Sequence, residues 1–291
     1  MKKKFKRVAL SGVLRDKKNR EFLKTILNSL KNLKIEILCE QKLANKAEFL
    51  KEYSSNDKEI ITNSDLLISV GGDGTMLSNA KKYGINGTPI LGINLGNLGF
   101  LTDIQTEDLE LRLTDVLKGK YVLDERPFLK AFLGSKELNS TALNEIVLHS
   151  GSVAKMIEYS LFINSSFVYS QKADGLIIFS PTGSTAYSLS GGGPIVDPEL
   201  NVIGIMPMFP HSINTTPIII DDNKEIRIEL TDSPNNKSSE LSFDSQENIK
   251  LDANCSLTIL KTEYKLSLVH PLDDDFFSRC RNRLGWGKSI T

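Results

Sequence analysis

The stretch Leu66–Leu77 limits the possible folds of this chain more than any other. Leu66-Leu67-Ile68-Ser69-Val70 is a short apolar run, the pattern of a strand buried on both faces of a parallel sheet. Gly71-Gly72-Asp73-Gly74-Thr75 breaks it. Met76, Leu77, Ala80 and Tyr83 then follow at helical spacing, with Gly84 as a stop. A strand that ends in glycines and reopens as a helix puts those glycines at the carboxyl edge of an open α/β sheet, where ligands bind. Glycine lets a ligand approach the backbone closely, and its amides with the helix N-terminus form an anion nest. Asp73 sits in that nest, yet a bare carboxylate repels phosphate. Two roles remain for it: accepting a proton from an attacking hydroxyl, or helping to hold a divalent metal that bridges phosphates. Both belong to phosphoryl transfer. The plainer alternative is a tight strand–helix turn with an Asp at the helix N-cap.

The flanking pattern extends this reading. Val8-Ala9-Leu10 is a strand, and Phe22, Leu23, Ile26, Leu27, Leu30 and Leu33 line one face of a helix. Ile35–Cys39 is the next strand, and a helix is expected around Ala47 to Tyr53. Thr88–Asn94 is a further strand, ending in a second glycine-rich turn, Gly96-Asn97-Leu98-Gly99. Thr106 is placed to cap a helix with Glu107 and Asp108 in its first turn, running to Lys118-Gly119. Such alternation predicts a Rossmann-like, mostly parallel sheet over residues 1–125.

From Arg126-Pro127 onward the period is that of strands. Candidates are Ala142–Leu148, Met156–Ile163, Gly175–Phe179, Asn201–Met206, Ile218–Ile220, Glu225–Leu230, Ile249–Leu251 and Leu257–Leu260. Turns such as Asp232–Asn236 separate them, and Lys237-Ser238-Ser239-Glu240 is a polar loop. An all-β, sandwich-like domain follows. The chain then returns to helix. Asp273-Asp274-Asp275 complement its N-terminus, Arg279, Arg281 and Arg283 lie toward its C-terminus, and Gly285 stops it. Phe276, Phe277, Cys280 and Leu284 are its expected apolar face.

Composition narrows the partners. Lys+Arg and Asp+Glu number 36 each, so no global field draws the chain to nucleic acid or to an anionic membrane. No run approaches the ~18 apolar residues of a membrane span. Three well-separated cysteines point to a reducing compartment, so the cytoplasm is the expected location. No cysteine–histidine spacing suggests a metal centre. His211 is placed to bind a ligand, although a loop histidine is the plainer reading; His149 and His270 carry no signal.

A second chemical stretch runs from Lys172-Ala173-Asp174-Gly175 through Leu176–Phe179 to Ser180-Pro181-Thr182-Gly183-Ser184-Thr185-Ala186-Tyr187-Ser188-Leu189-Ser190 and Gly191–Pro194. So many hydroxyls need partners, and a ligand rich in ribose and amide groups would supply them. The alternative is a Ser/Thr-rich loop. Neither the Gly-x-x-x-x-Gly-Lys-Ser/Thr loop, the protein-kinase signature set nor the three-glycine dinucleotide fingerprint occurs.

Together these motifs resemble the NAD kinase family, its bacterial branch in particular, over nearly the whole chain. The resemblance rests on Gly71–Gly74, on Gly92-Ile93-Asn94 with Gly96–Asp103, on Asn144-Glu145, and on Asp174-Gly175 through Thr182–Ser188 to Gly192-Gly193-Pro194. Met206–His211 and Leu284-Gly285-Trp286 add to it. The glycine–aspartate turn alone is shared with diacylglycerol kinases and phosphofructokinases. The resemblance implies an α/β domain (1–125) carrying the glycine turn, a β-rich NAD-binding domain (126–269), and a C-terminal helix (270–291) that returns to the first. It implies transfer of the terminal phosphoryl group of ATP to the 2′-hydroxyl of NAD's adenosine ribose, with Mg²⁺ neutralising charge. Asp73 would be the base, and Gly74, Asn144 and Glu145 would contact NAD. Asp174 with Thr185, Ala186, Tyr187, Ser188, Leu189 and Ser190 would line the adenosine pocket, partly from a neighbouring subunit of a dimer or tetramer. Gln246, Lys155 and Lys172 match further binding positions. Two departures stand out: Leu95 and Lys172 occupy positions where the bacterial pattern often has Arg, and Lys lacks the planar fork of Arg. The rival readings are a lipid kinase sharing the glycine turn and a non-catalytic NAD-binding sensor.

Overall fold

The computed structural model describes residues 4–14, 17–94, 96, 99–104, 106, 108–152, 155–212, 215–231, 233, 236 and 238–286, apart from the side chain of Lys18. Leu95, Asn97, Leu98, Glu107, Asp232, Pro234, Asn235 and Lys237, which figure in the motifs, cap and turns above, lie outside the described residues. The chain folds as two compact units, Met1–Glu125 with Lys265–Thr291, and Arg126–Tyr264.

In the first unit, strands β1 (Arg7–Gly12), β2 (Glu36–Glu40), β3 (Ser54–Ser55), β4 (Leu66–Val70) and β5 (Ile90–Ile93) alternate with helices α1 (Lys17–Asn32), α2 (Gln41–Ala44), α3 (Asp57–Asn63), α4 (Asp73–Lys82) and α5 (Leu109–Leu117). The sheet order is β5-β4-β1-β2-β3, and every pairing is parallel. The chain leaves β1 toward β2, whereas β4 lies on the other side of β1. The order therefore reverses between β1 and β4, and the crevice beyond their carboxyl ends is where this fold binds ligands. All five residues of β4 are buried, as its apolar run requires. Leu23, Ile26, Leu27 and Leu30 of α1 pack with Val8 and Leu10 of β1, Ile68 and Val70 of β4, and Leu113 and Val116 of α5. Each such burial contributes about 1.5–3 kcal/mol.

Two expectations change here. Residues 41–63 form α2, a 3₁₀ helix over Glu48–Tyr53, and α3, whose Asn56 side chain caps the Glu59 amide at 2.9 Å. This polar stretch has too weak an apolar period for pattern reading to resolve. Nor does Thr106 cap the next helix: α5 starts at Leu109 with Asp108 at its N-cap. The cause lies upstream. Ile104 still bridges Ile93, and its carbonyl accepts the Asn94 amide at 3.0 Å, so the chain turns late.

Among the described residues, the second unit is β apart from a 3₁₀ turn (Thr182–Thr185), the short α6 (Tyr187–Ser190) and 3₁₀ geometry at Asn236 and Ser238. Its strands are β6 (Tyr121–Leu133, entering from the first unit), β7 (Lys136–Ala142), β8 (Glu145–His149), β9 (Ile157–Ile163), β10 (Ser166–Ala173), β11 (Gly175–Phe179), β12 (Val202–Met208), β13 (Ile218–Asp221), β14 (Ile226–Leu230), β15 (Glu240–Phe243), β16 (Glu247–Lys250) and β17 (Ser256–Pro271). One sheet runs β13-β12-β11-β8-β15-β16 and is antiparallel throughout; the other carries β10-β9-β14-β17 with β6 and β7. Alternate residues fill one core: Ile146 and Leu148 of β8, Leu176 and Ile178 of β11, Tyr159 and Leu161 of β9, Ile226 and Ile228 of β14. The opposite face of β11 buries Ile177 and Phe179 with Val147, Met206 and Val196. That two-sided burial explains the unbroken apolar run of β11.

β17 ends in the first unit, where Leu268 pairs with Ile90. Helix α7 (Phe276–Leu284) follows. Asp275 caps it by accepting the Phe277 and Ser278 amides at 3.1 and 3.0 Å, and Gly285 closes it in the left-handed region at φ 70°. Its inner face differs from the expected one. Cys280 is buried, but Phe277 is half exposed, and the second buried residue is Arg279. A charged residue takes that place because an acid, Asp103, faces it.

Candidate active site

β4 delivers the glycine turn to the carboxyl edge of the sheet. Gly71 is held by donating its amide to the Ile93 carbonyl at 2.9 Å, and a Cβ on it would lie 2.5 Å from Oγ1 of Thr75. Gly72 is the N-cap of α4, and its carbonyl accepts the amides of Thr75 and Met76. At Gly72 and Gly74, by contrast, an added Cβ would meet nothing within 4 Å. Packing does not demand glycine at those two positions, so the open space beside them is available to a ligand.

Asp73 opens α4. Its Oδ2 accepts the Phe100 amide at 3.0 Å and its Oδ1 accepts the Leu101 amide at 3.1 Å. The residues just after the second glycine-rich turn, Phe100 and Leu101, are thus folded directly onto the aspartate. Thr102 braces that turn: its Oγ1 accepts from Nδ2 of Asn94 at 3.1 Å and from the Gly99 amide at 3.2 Å. Asn94 Oδ1 accepts the Gly96 amide at 2.8 Å. An ionised carboxylate has about four lone-pair sites, so two amides leave each oxygen a free one.

Beside the turn lies a cleft of about 450 Å³, lined by Ser11 and Gly12 at the end of β1, by Gly72, Gly74 and Thr75, and by Glu40, Lys42, Lys46 and Lys82. This is the switch-point crevice. Glu40 is buried there, with Ser11 Oγ 2.6 Å from its Oε2. Lys82 bonds both Glu40 and Asp57 at 2.7 Å. Partial burial works against its charge, but those two carboxylates outweigh it and raise the Lys82 pKa.

The second unit carries the remaining candidates. Asn144 and Glu145, both buried, sit where β8 begins. Asp244, at a positive φ of 52°, turns its carboxylate onto three successive amides: Leu143 (2.9 Å), Asn144 (2.8 Å) and Glu145 (3.1 Å). The backbone is pinned from the other side as well. Ser180 Oγ donates to the Leu143 carbonyl at 2.5 Å, the Ser180 amide donates to that of Asn144, and a Cβ on Gly183 would stand 2.1 Å from the Asn144 carbonyl oxygen. Asn144-Glu145 and the 180–185 run are therefore one local structure. Asp244 escaped the sequence reading, since an Asp in a turn gives no hint of which amides it will cap.

A cleft of about 520 Å³ in this unit is lined by Lys155, Asp174 and Tyr187, together with His149, Met208, Ser242 and Ser245. It brings three of the expected residues together and adds His149, which had shown no signal. Gln246 follows Ser245 in the same hairpin and donates its amide to the Phe243 carbonyl. Lys172 is not among the residues lining this cleft; its ammonium pairs with Glu158 at 2.9 Å. His211 donates its amide to the Lys172 carbonyl.

The hydroxyl run is used internally to a larger extent than expected. Ser184 Oγ donates to the Pro181 carbonyl at 2.7 Å and accepts the Val196 amide at 3.0 Å. Ser188 donates to the Gly183 carbonyl, Thr185 to that of Thr182, and Thr182 accepts from Arg126. These hydroxyls tie the turn together. Exposed in it are the Tyr187 ring and Ser190.

A third polar cluster was not anticipated at all. His270, buried, places Nδ1 2.6 Å from Oδ2 of Asp103 and Nε2 3.4 Å from Oδ2 of Asp124. Arg279 Nη1 donates to Asp103 at 3.1 Å and also binds Asp274. Asp103, His270 and Asp274 lie close enough together to share a cation, but the Arg279 guanidinium already bridges the two carboxylates. Burial disfavours the charged imidazole. The Asp103 carboxylate, with Asp124 and Asp274, more than offsets that and raises the His270 pKa from 6.5 to about 9.

Comparison with known proteins agrees over the whole chain. Residues 13–121 match the family model of the ATP-NAD kinase N-terminal domain, and residues 143–271 that of the ATP-NAD kinase C-terminal domain. The NAD kinase of Tolumonas auensis is 38% identical over 295 residues, covering 100% of both chains. That of Teredinibacter turnerae is 39% identical over 285 residues, 97% of each. Among solved structures, an NAD kinase from Archaeoglobus fulgidus in complex with ATP has a TM-score of 0.77 at 27% identity, covering 95% of this chain and 99% of that one. Yeast NADH kinase complexed with NADH shares the fold, with a TM-score of 0.89 at 24% identity over 99% of this chain and 90% of that one. This chain belongs to the NAD kinase family.

Proposed function

We propose that this protein transfers the terminal phosphoryl group of ATP to the 2′-hydroxyl of the adenosine ribose of NAD, producing NADP. The observation that carries the chemistry is Asp73, whose carboxylate two backbone amides orient beside glycines that packing leaves open. A ribose hydroxyl is a poor nucleophile until its proton is leaving. A positioned carboxylate that accepts the proton contributes about 10²–10⁴-fold. Asp73 is that base in this account, and catalysis is otherwise positioning and charge neutralisation.

The switch-point cleft, with Lys42, Lys46 and the amides of the glycine turn, suits the triphosphate of ATP. Magnesium enters with ATP as part of the nucleotide substrate. The free lone pairs of Asp73 fit either the ribose proton or that ion.

In this reading residues 126–269 form the NAD-binding domain, and residues 270–291, which carry α7, belong with the first. Gly74, Asn144 and Glu145 contact NAD. Lys155, Asp174 and Tyr187, which share one cleft, hold the adenosine half, and Thr185, Ala186, Ser188, Leu189 and Ser190 are assigned to the same adenosine pocket on the family resemblance. Gln246 extends the same rim, and Lys172 adds charge tempered by Glu158. The protein works as a cytoplasmic homo-oligomer, a dimer or tetramer, in which a neighbouring subunit completes the NAD pocket.

Incubation with ATP, Mg²⁺ and NAD tests the reading. NADP⁺ formation supports it. Phosphorylation of diacylglycerol instead would favour a lipid kinase, and NAD binding without turnover would favour a sensor.

A further inference from the structure

We propose that Asp103, gripped by His270 and Arg279, is a positioning residue for phosphoryl transfer: it anchors the turn whose amides orient Asp73. The inference rests on the reading of Asp73 as the base.

The linkage is short and lies within one unit. Phe100 and Leu101 donate to Asp73 from a turn that ends at Thr102 and Asp103. Upstream, the turn is tied by Asn94 and Thr102. Downstream, the Asp103 amide donates to the Gly92 carbonyl, and its side chain is held from two directions. His270, near the end of β17, takes Oδ2, and Arg279, on α7, takes Oδ1. Both partners are buried, so neither contact is a screened surface pair. Arg283 of the same helix places its guanidinium over the Phe100 ring, 5.7 Å from its centroid. The last strand and helix of the chain thus clamp a five-residue stretch, 99–103, against the aspartate.

The buried charges serve this purpose better than bulk packing would. An apolar residue at 103 would leave the turn free to slide, because apolar contacts have no preferred direction. A carboxylate fixed by an imidazolium and a guanidinium has one geometry. Small displacements at a reacting centre cost much in rate: about 1 Å can cost roughly 10²-fold. Loosening the clamp should therefore lower turnover without removing any group that touches substrate.

A double-mutant cycle tests this. The kcat and KM of NADP⁺ formation are measured for wild type, Asp73→Asn, Asp103→Asn and the double variant, each confirmed by thermal melting to be folded at assay temperature. If Asp103 acts through Asp73, Asp103→Asn lowers kcat about tenfold and leaves KM for NAD within about twofold. The double variant then turns over no more slowly than Asp73→Asn alone. A general structural role would instead multiply the two losses, and that result overturns the inference, as would wild-type kcat in Asp103→Asn. Wild-type turnover in Asp73→Asn would overturn the base reading, and the inference with it. Should Asp103→Asn fail to fold, Arg279→Lys replaces it, since it keeps the charge and loses the fork. Its loss, about threefold, must likewise vanish on the Asp73→Asn background.

Discussion

Gly99 lies so close to Asp73 that a Cβ on it would stand 1.9 Å from the carboxylate Oδ1 and 2.6 Å from its Cγ. No side chain fits there unless the aspartate or the turn moves. Gly99→Ala is therefore expected to lower kcat about 10²-fold by displacing the carboxylate. The overpacking should cost about 1–3 kcal/mol in stability. Kinetics combined with denaturant melts read both effects, and an alanine variant with wild-type kcat would show that the contact does not set the position of Asp73.

Gly74 gives the opposite signature. It is helical, and an added Cβ meets open space. Gly74→Ala should leave stability unchanged or raise it by up to about 1 kcal/mol through helix propensity. Its kcat/KM should nevertheless fall, because the methyl group occupies the space assigned to substrate. A variant both more stable and fully active would count against ligand approach at this glycine.

Much of the fold was legible because its signals are local. The buried run of β4 and its glycine break need only neighbouring residues to be read, and Gly175–Phe179 is delimited for the same reason. Gly84 does not act as the expected stop: α4 ends at Lys82, Gly84 opens a 3₁₀ turn, and the Leu266 side chain fills the space a Cβ would need there. What escaped depends on distant partners. β10 carries Ser, Gln and Lys among its apolar residues and gains its place from β9. Asp244 reaches back about a hundred positions to cap Leu143–Glu145. His270 finds Asp103 across a separation of 167 positions, which no spacing rule encodes. The hydroxyl run was legible as chemistry but not as geometry, since many of its partners are backbone carbonyls within the turn itself.

Lys155 lines the same cleft as Asp174 and Tyr187. Its cation suits an anionic nucleotide. Lys155→Gln should raise KM for NAD about three- to tenfold, at most about 1.4 kcal/mol, while kcat changes little. Salt should weaken the wild-type advantage. An unchanged KM would remove Lys155 from the binding surface.

The buried histidine makes stability depend on pH. The folded pKa of His270 is raised to about 9 from an ordinary 6.5, so its contribution is complete below pH 6.5 and is lost as pH rises through about 9. Asp103, Asp124 and Asp274 face the imidazole as acids, and Arg279 faces the same carboxylates as a competing cation. Wild type should lose Tm over that window more steeply than His270→Gln. Parallel curves would exclude the imidazolium as the cause.

Edge strands β10 and β13 expose Phe167 and Ile219, and the proposed shared NAD pocket calls for a second copy of the chain. Light scattering at assay concentration should find a dimer or tetramer. A fully active monomer would rule out an NAD pocket shared between subunits.

The account turns on Asp73 as the base. Asp73→Asn keeps the size of the side chain but removes the basic oxygen and the charge. Steady-state NADP⁺ formation, measured beside calorimetric NAD binding, separates chemistry from affinity. The account predicts that kcat falls by about 10²–10⁴-fold, while NAD affinity changes by less than about tenfold, or ~1.4 kcal/mol. Near-wild-type turnover would contradict it outright, and lost NAD binding with normal residual chemistry would make Asp73 a ribose-binding residue instead.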